Sequence, residues 1–163
     1  MKEINILDKE YAQWVKSLVA KYRQSQVKAA VKVNTEVLRF YWELGKDIVE
    51  RDAENQYGSR FYASLSRDLK EALQTDGFSE RNLRYMKSFY LLYNGRIGNL
   101  PQVVAELFMV PWGHHRYIID KCTDDPDKAL FYVHQIVENG WSRNVLLNFL
   151  DTDLYERAGK AIT

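Results

Sequence analysis

The first hundred residues of the chain contain no proline, and their apolar residues return at steps of three and four. Proline removes a backbone donor and collides with the turn before it, so its absence leaves this stretch free to form long helices. The step pattern is that of one helical face. Val27, Val31, Asn34, Leu38, Tyr41, Gly45 and Ile48 form such a row, widened by Val33, Val37, Phe40 and Leu44. The pattern predicts one helix from about Lys9 to Arg23 and a longer one from about Gln26 to Ala53. A row this wide suits burial against several neighbours of the same chain. The alternative is a dimer seam over Val27, Val31, Asn34, Leu38, Tyr41 and Gly45, with Asn34 setting the register and Gly45 allowing close approach.

Helical periodicity continues beyond Gly58, which reads as a turn residue. Phe61, Leu65, Leu69 and Leu73 mark a helix from Ser59 to about Thr75, and a further helix is expected from Glu80 to about Tyr93. NGRIGN reads as a loop. Pro101 suits the first turn of a helix running to about Met109, and VPWG reads as a turn before a short helix, HHRYIIDKC. Asp125 and Pro126 are the cap and first residue of a helix that ends at Asn139 or Gly140. A last helix runs from Ser142 through LYER. No stretch alternates strictly enough to require a strand. The expected fold is all-α, one domain over 1–163: a helical scaffold at 1–55, a first helix-turn-helix-like unit at 59–94 and a second helical unit at 100–160.

Several classes are set aside by composition. No apolar run approaches 18 residues, so no membrane partner is expected. MKEINILDKEY lacks the apolar region of a secretory signal. The lone Cys122 has no partner for an internal disulfide, which fits a cytoplasmic protein. The net charge of +1 conceals a gradient. Residues 1–58 carry ten Lys/Arg against nine Asp/Glu, residues 59–96 seven against four, and residues 97–163 six against nine. That is too little to bind nucleic acid by overall charge, but enough for a local contact face.

One short motif occurs twice. GFSERNL at 77–83 is echoed by GWSRNVL at 140–146, pairing Gly77 with Gly140, Phe78 with Trp141, Ser79 with Ser142 and Leu83 with Leu146. The expected physics is a glycine ending one helix in the left-handed conformation, an aromatic tucked into the core and a serine capping the next helix. Such a corner is the build of a helix-turn-helix, although any two packed helices can be joined this way. The helix after the first copy offers Arg81, Asn82, Arg84 and Lys87 within two turns, types suited to base edges and phosphates. Arg67 and Lys70 on the preceding helix are placed to hold the DNA backbone. The second copy offers Arg143 and Asn144 but runs into Asp151, Asp153 and Glu156, and reads as a structural duplicate.

No constellation for catalysis emerges. His115, Cys122 and His134 match no zinc spacing and lack a fourth ligand. DKCTDDPD lacks the glycine and terminal glutamate of a calcium loop, and helix capping accounts for Asp125 and Asp127. There is no phosphate-cradling glycine loop and no nucleophile elbow. No cofactor, metal or small-molecule substrate is expected.

The ordered set YWELGKDI, YGSRFYASLSRDL, GFSERNLRYMKSFY, PWGHHRYII, FYVHQIVENGWSRNVL and LYER resembles the N-terminal domain of the YhcG-like nuclease family, a domain of unknown function. The resemblance spans about residues 10–160, with Trp42, Gly45, Gly77, Ser79, Asn82, Trp112, His114, Gly140 and Trp141 among the signature positions. It implies a helical domain that binds DNA or assembles the enzyme, followed in the full protein by a PD-(D/E)xK nuclease domain. This chain lacks that nuclease's acidic and lysine motif and ends at GKAIT, about where the second domain would begin. The ending reads as a truncation, and the chain itself as a non-catalytic DNA-binding module. The alternative is a homodimerisation or protein-docking module.

Overall fold

The computed structural model describes residues 2–98 and 100–162, and side chains for 8–98 and 100–159. Among these residues the chain is all-α, with no strand. Its helices are α1 (Lys2–Glu50), α2 (Ala53–Tyr57), α3 (Phe61–Leu73), α4 (Glu80–Ile97), α5 (Pro101–Met109), α6 (Trp112–Lys121), α7 (Pro126–Asn139), α8 (Arg143–Asp151) and α9 (Leu154–Ile162). Residues 1–36 and 37–163 form two compact units.

The first unit is the leading part of α1. Every described residue from Asp8 to Val33 is exposed. The break expected near Arg23 is absent, because Gln24, Ser25 and Gln26 include neither proline nor glycine and one helix runs through them.

The second unit holds the core. From Leu38 onward α1 turns Leu38, Trp42, Gly45 and Ile48 inward. One cluster gathers Leu38, Trp42, Phe89, Tyr93, Leu107, Ile118, Tyr132 and Leu146 with their neighbours; a second gathers Ile48, Ala53, Tyr62, Phe78, Leu83 and Met86. Phe89 is fully buried, with ring centroids of Trp42 at 5.4 Å, Trp112 at 5.3 Å and His115 at 4.8 Å. Gly45 lies against α4, where a Cβ would fall 2.1 Å from the Met86 carbonyl oxygen. The close approach that Gly45 permits therefore occurs inside the chain, as the first of the two readings of this row expects. Leu38, Tyr41 and Gly45 of the expected seam pack within this unit, whereas Val27 and Val31 are exposed.

Two further boundaries differ from expectation. α4 continues through NGRI to Ile97, because Tyr93 and Ile97 are buried while Gly95 meets nothing on its open side. The loop begins only at Gly98, and Asn99 lies outside the described residues. The last expected helix is two, broken at Thr152 and Asp153, the latter in the left-handed region at φ 56°. The Tyr132 hydroxyl bridges that break, donating to the Phe149 carbonyl at 3.3 Å and accepting from the Tyr155 N–H at 3.2 Å.

Buried polar groups tie the helices together. His115 Nε2 lies 2.7 Å from the Leu107 carbonyl oxygen. A carbonyl only accepts, so the proton sits on Nε2. Burial drives this imidazole's pKa down to about 4, which keeps it neutral. Cys122, also buried, has its thiol pushed up to about 12 by the same cause.

Candidate nucleic-acid interface

Both copies of the repeated motif cap a helix as their serines require. Ser79 Oγ accepts from the Asn82 N–H at 3.1 Å and Ser142 Oγ from the Val145 N–H at 3.3 Å. Leu83 and Leu146 are fully buried. The glycines, however, do different work. Gly140 ends α7 in the left-handed conformation, φ 64°, as expected. In the first copy that conformation belongs to Gln74, φ 53°, three residues earlier. Gly77 instead offers its carbonyl oxygen to Asn82 Nδ2 at 2.7 Å. The two corners are therefore not duplicates of one geometry.

The cationic side chains expected on α4 go to separate places. Asn82 is committed within the chain: besides Gly77, its Oδ1 accepts from Trp112 Nε1–H at 2.8 Å. Lys87 reaches Glu54 Oε1 at 2.6 Å. The Tyr62 hydroxyl donates to the same carboxylate, and together with Lys87 it holds Glu54 below the usual carboxylate range, Lys87 contributing most. Arg84 stacks its guanidinium 4.2 Å from the Tyr62 ring centre. On α3, Arg67 pairs with Asp68 at 3.4 Å and Lys70 with Asp76 at 3.9 Å, all four side chains being well exposed. Such surface pairs are worth little and leave the cations accessible.

Arg81 takes a different direction, toward two basic residues from elsewhere in the chain. A groove of about 320 Å³ is lined by Arg81 and Tyr85 of α4, Gly113, Arg116, Tyr117 and Asp120 of α6, and Arg143 of α8. Tyr85 organises one wall. Its hydroxyl donates to Asp120 at 2.8 Å, and its ring centre lies 5.7 Å from the Arg81 guanidinium and 4.9 Å from that of Arg116. Both guanidinium groups lie within cation–π range of the ring, which leaves their charge in place. Among the described residues neither Arg116 nor Arg143 forms an ion pair, and the buried Nε of Arg116 has no hydrogen-bond partner. Three arginines thus share the groove with one carboxylate, Asp120, which accepts from Tyr85 and keeps its charge, leaving a net positive field.

Helix ends add to this field. Arg81 is the second residue of α4, Gly113 the second of α6 and Arg143 the first of α8, so the groove is lined from three helix first turns. Helix N-termini favour anions through their unpaired N–H groups and dipoles. Serines cap α4 and α8, but Pro111 supplies no capping oxygen to α6. Of the acids that weighed against the second copy, Asp151 pairs with Lys121 at 3.4 Å and Glu156 with Lys128 at 2.8 Å, while Asp153 turns the chain between α8 and α9. His114 anchors the arrangement, its Nε2 lying 2.9 Å from the Trp141 carbonyl oxygen.

Arg116 and Tyr85 escaped the sequence reading, and Arg143 was set aside as part of a duplicate. The legible signal was basic residues in the first turn after each capping serine. That α6 places a third arginine with them is tertiary information. A prediction separates the roles of Asn82: Asn82→Ala leaves the Trp112 N–H and the Gly77 carbonyl without their partner and should cost about 2 kcal/mol in chemical denaturation. A base-reading asparagine would instead leave stability unchanged and weaken only DNA binding.

The model of the DUF1016 N-terminal domain family matches residues 15–157. The chain is also 28% identical to the Escherichia coli (strain K12) protein named Putative nuclease YhcG, over 77% of this chain and 40% of that protein. It thus spans less than half the length of that relative. No solved structure matches. Among the described residues no helix is long and apolar enough to cross a membrane.

Proposed function

The chain belongs to the DUF1016 N-terminal domain family, and from that premise we propose that it is a non-catalytic DNA-binding module of a nuclease, holding backbone phosphates in the groove of Arg81, Arg116 and Arg143. The observation that carries this reading is three arginines on one groove against a single carboxylate, Asp120, with Arg81 and Arg143 exposed and Arg116 half-buried. Arginine forks fit phosphate oxygens bidentately, and a preorganised fork loses less freedom on binding. The relative's name, a nuclease, supports nucleic acid as the source of the phosphate. Contacts of this kind position a duplex without reading its bases. The parent protein's chemistry then belongs to a part of its length that this chain does not span.

The test is a titration of labelled duplex DNA across salt concentration. Each phosphate contact contributes roughly 0.9 to the slope of log affinity against log salt. The triple variant Arg81→Ala, Arg116→Ala, Arg143→Ala should therefore flatten the slope by about 2.7. A variant with Arg84→Ala and Lys87→Ala should keep nearly the wild-type slope. No binding by the wild type at low salt, or an unchanged slope in the triple variant, would sink the phosphate reading. The reverse ranking of the two variants would return the contact face to α4 as a recognition helix.

A further inference from the structure

The leading part of α1 carries an apolar face that its own chain leaves uncovered. Tyr11, Val15, Leu18 and Tyr22 step by four, three and four, with Trp14 alongside, and all are exposed, Tyr11 and Tyr22 by 63% and 66%. At 3.6 residues per turn, Val27 follows Leu18 by about two and a half turns. Within this segment the face is therefore on the opposite side of the helix from Val27. It is distinct from the seam the sequence suggested. Large contiguous apolar faces are uncommon on monomers, and a helix gains most of its stability by packing such a face.

We infer that residues 8–32 of α1 pair with the same segment of a second copy in antiparallel register, centred near Ala20. Two properties of the segment select this occupant and this direction. The first is size. Continuing the same face past Tyr22 leads to Ser25 and Ala29, with the polar Gln26 alongside, so apolar bulk is concentrated in the N-terminal half. Antiparallel pairing about Ala20 sets Tyr11 over Ala29 and Val15 over Ser25, and brings Leu18 against Tyr22. A parallel pair would set each aromatic against itself and each small residue across a gap.

The second property is charge. Between Asp8 and Val33 the only acids are Asp8 and Glu10, at the N-terminal end, against six Lys and Arg. The antiparallel register brings Asp8 opposite Lys32 and Glu10 beside Lys28, at both ends of the pair. A parallel register would face every one of these charges with its like. Flanking charges of this kind set the orientation of paired helices. The inference is independent of the arginine groove, whose variants leave α1 unchanged.

Light scattering on the whole chain at high micromolar concentration should give twice the chain mass. Leu18→Asp with Tyr22→Asp should give the chain mass while circular dichroism keeps the helical signal of residues 37–163. Orientation is read by cross-linking in a Cys122→Ser background. Val15→Cys mixed with Ser25→Cys should form a disulfide-linked dimer, and Val15→Cys alone should not. A monomeric wild type would assign the face to a different protein and overturn the inference. So would a dimer that survives the double aspartate variant, or self-cross-linking of Val15→Cys.

Discussion

Gly45→Ala should destabilise the chain by about 3 kcal/mol, although alanine is favoured over glycine in a helix interior by about 1 kcal/mol. The sign is set by the neighbour. A Cβ at this position would lie 2.1 Å from the Met86 carbonyl oxygen and 2.7 Å from its carbon, both backbone atoms of α4. No rotamer relieves such a contact, so α1 and α4 must separate, and the packing of Trp42 against Phe89 and Tyr90 on that interface loosens with them. Gly95→Ala is the internal control. It too lies in α4, but a Cβ there meets nothing within 4 Å, and it should stabilise by up to about 1 kcal/mol. Urea unfolding of both variants checks the pair. Equal effects would mean that helix propensity, not the approach of α4, governs Gly45.

Phe89→Ala should cost more, about 4 kcal/mol. The ring is fully buried where α1, α4, α5 and α6 meet, in edge contact with Trp42, Tyr93, Phe108 and Trp112 and close to the His115 imidazole. Its removal leaves a void walled by other rigid rings, which collapse into the space poorly. Phe89→Leu should recover about half of the loss. The void also borders His115, the neutral imidazole held by the Leu107 carbonyl. Water entering there would ease that group's desolvation, so the Ala variant should show a smaller loss of stability between pH 7 and 4 than the wild type. In the wild type the pKa of this histidine is depressed on folding, so its contribution is intact above the unfolded value and falls as pH drops toward 4. A cost below about 1 kcal/mol would show that the aromatic cluster repacks freely.

Features set by neighbouring residues were legible in the sequence. The all-α class followed from the missing prolines and the apolar step pattern. Ser79, Ser142 and Asp125 cap the helices they precede, and Pro101 and Pro126 stand in first turns, because capping is decided within four residues. Features set by distant partners were not. Gly77 resembles a helix stop, yet Gln74 takes the left-handed turn, because Asn82 and Phe78 fix the chain beyond it. That Asn82 meets Trp112 and Lys87 meets Glu54 could not be read from their spacing. Arg81, Arg116 and Arg143 are far apart in sequence, and only the packing of α4 and α8 against α6 collects them. The row from Val27 illustrates both cases: its period was legible, but the change from solvent to core along it depends on helices that come later in the chain.

Cys122 gives this chain a built-in clock for its own opening. It is the sole cysteine in the sequence, it is 1% exposed, and burial holds its thiol protonated. Only the thiolate attacks an electrophilic thiol reagent, so labelling must wait for the core around α6 and α7 to open. Where reclosing outpaces the reagent, the labelling half-life reports the equilibrium population of open molecules, tenfold for each ~1.4 kcal/mol. Under native conditions, without denaturant and without an introduced cysteine, the same atom can rank every core variant above.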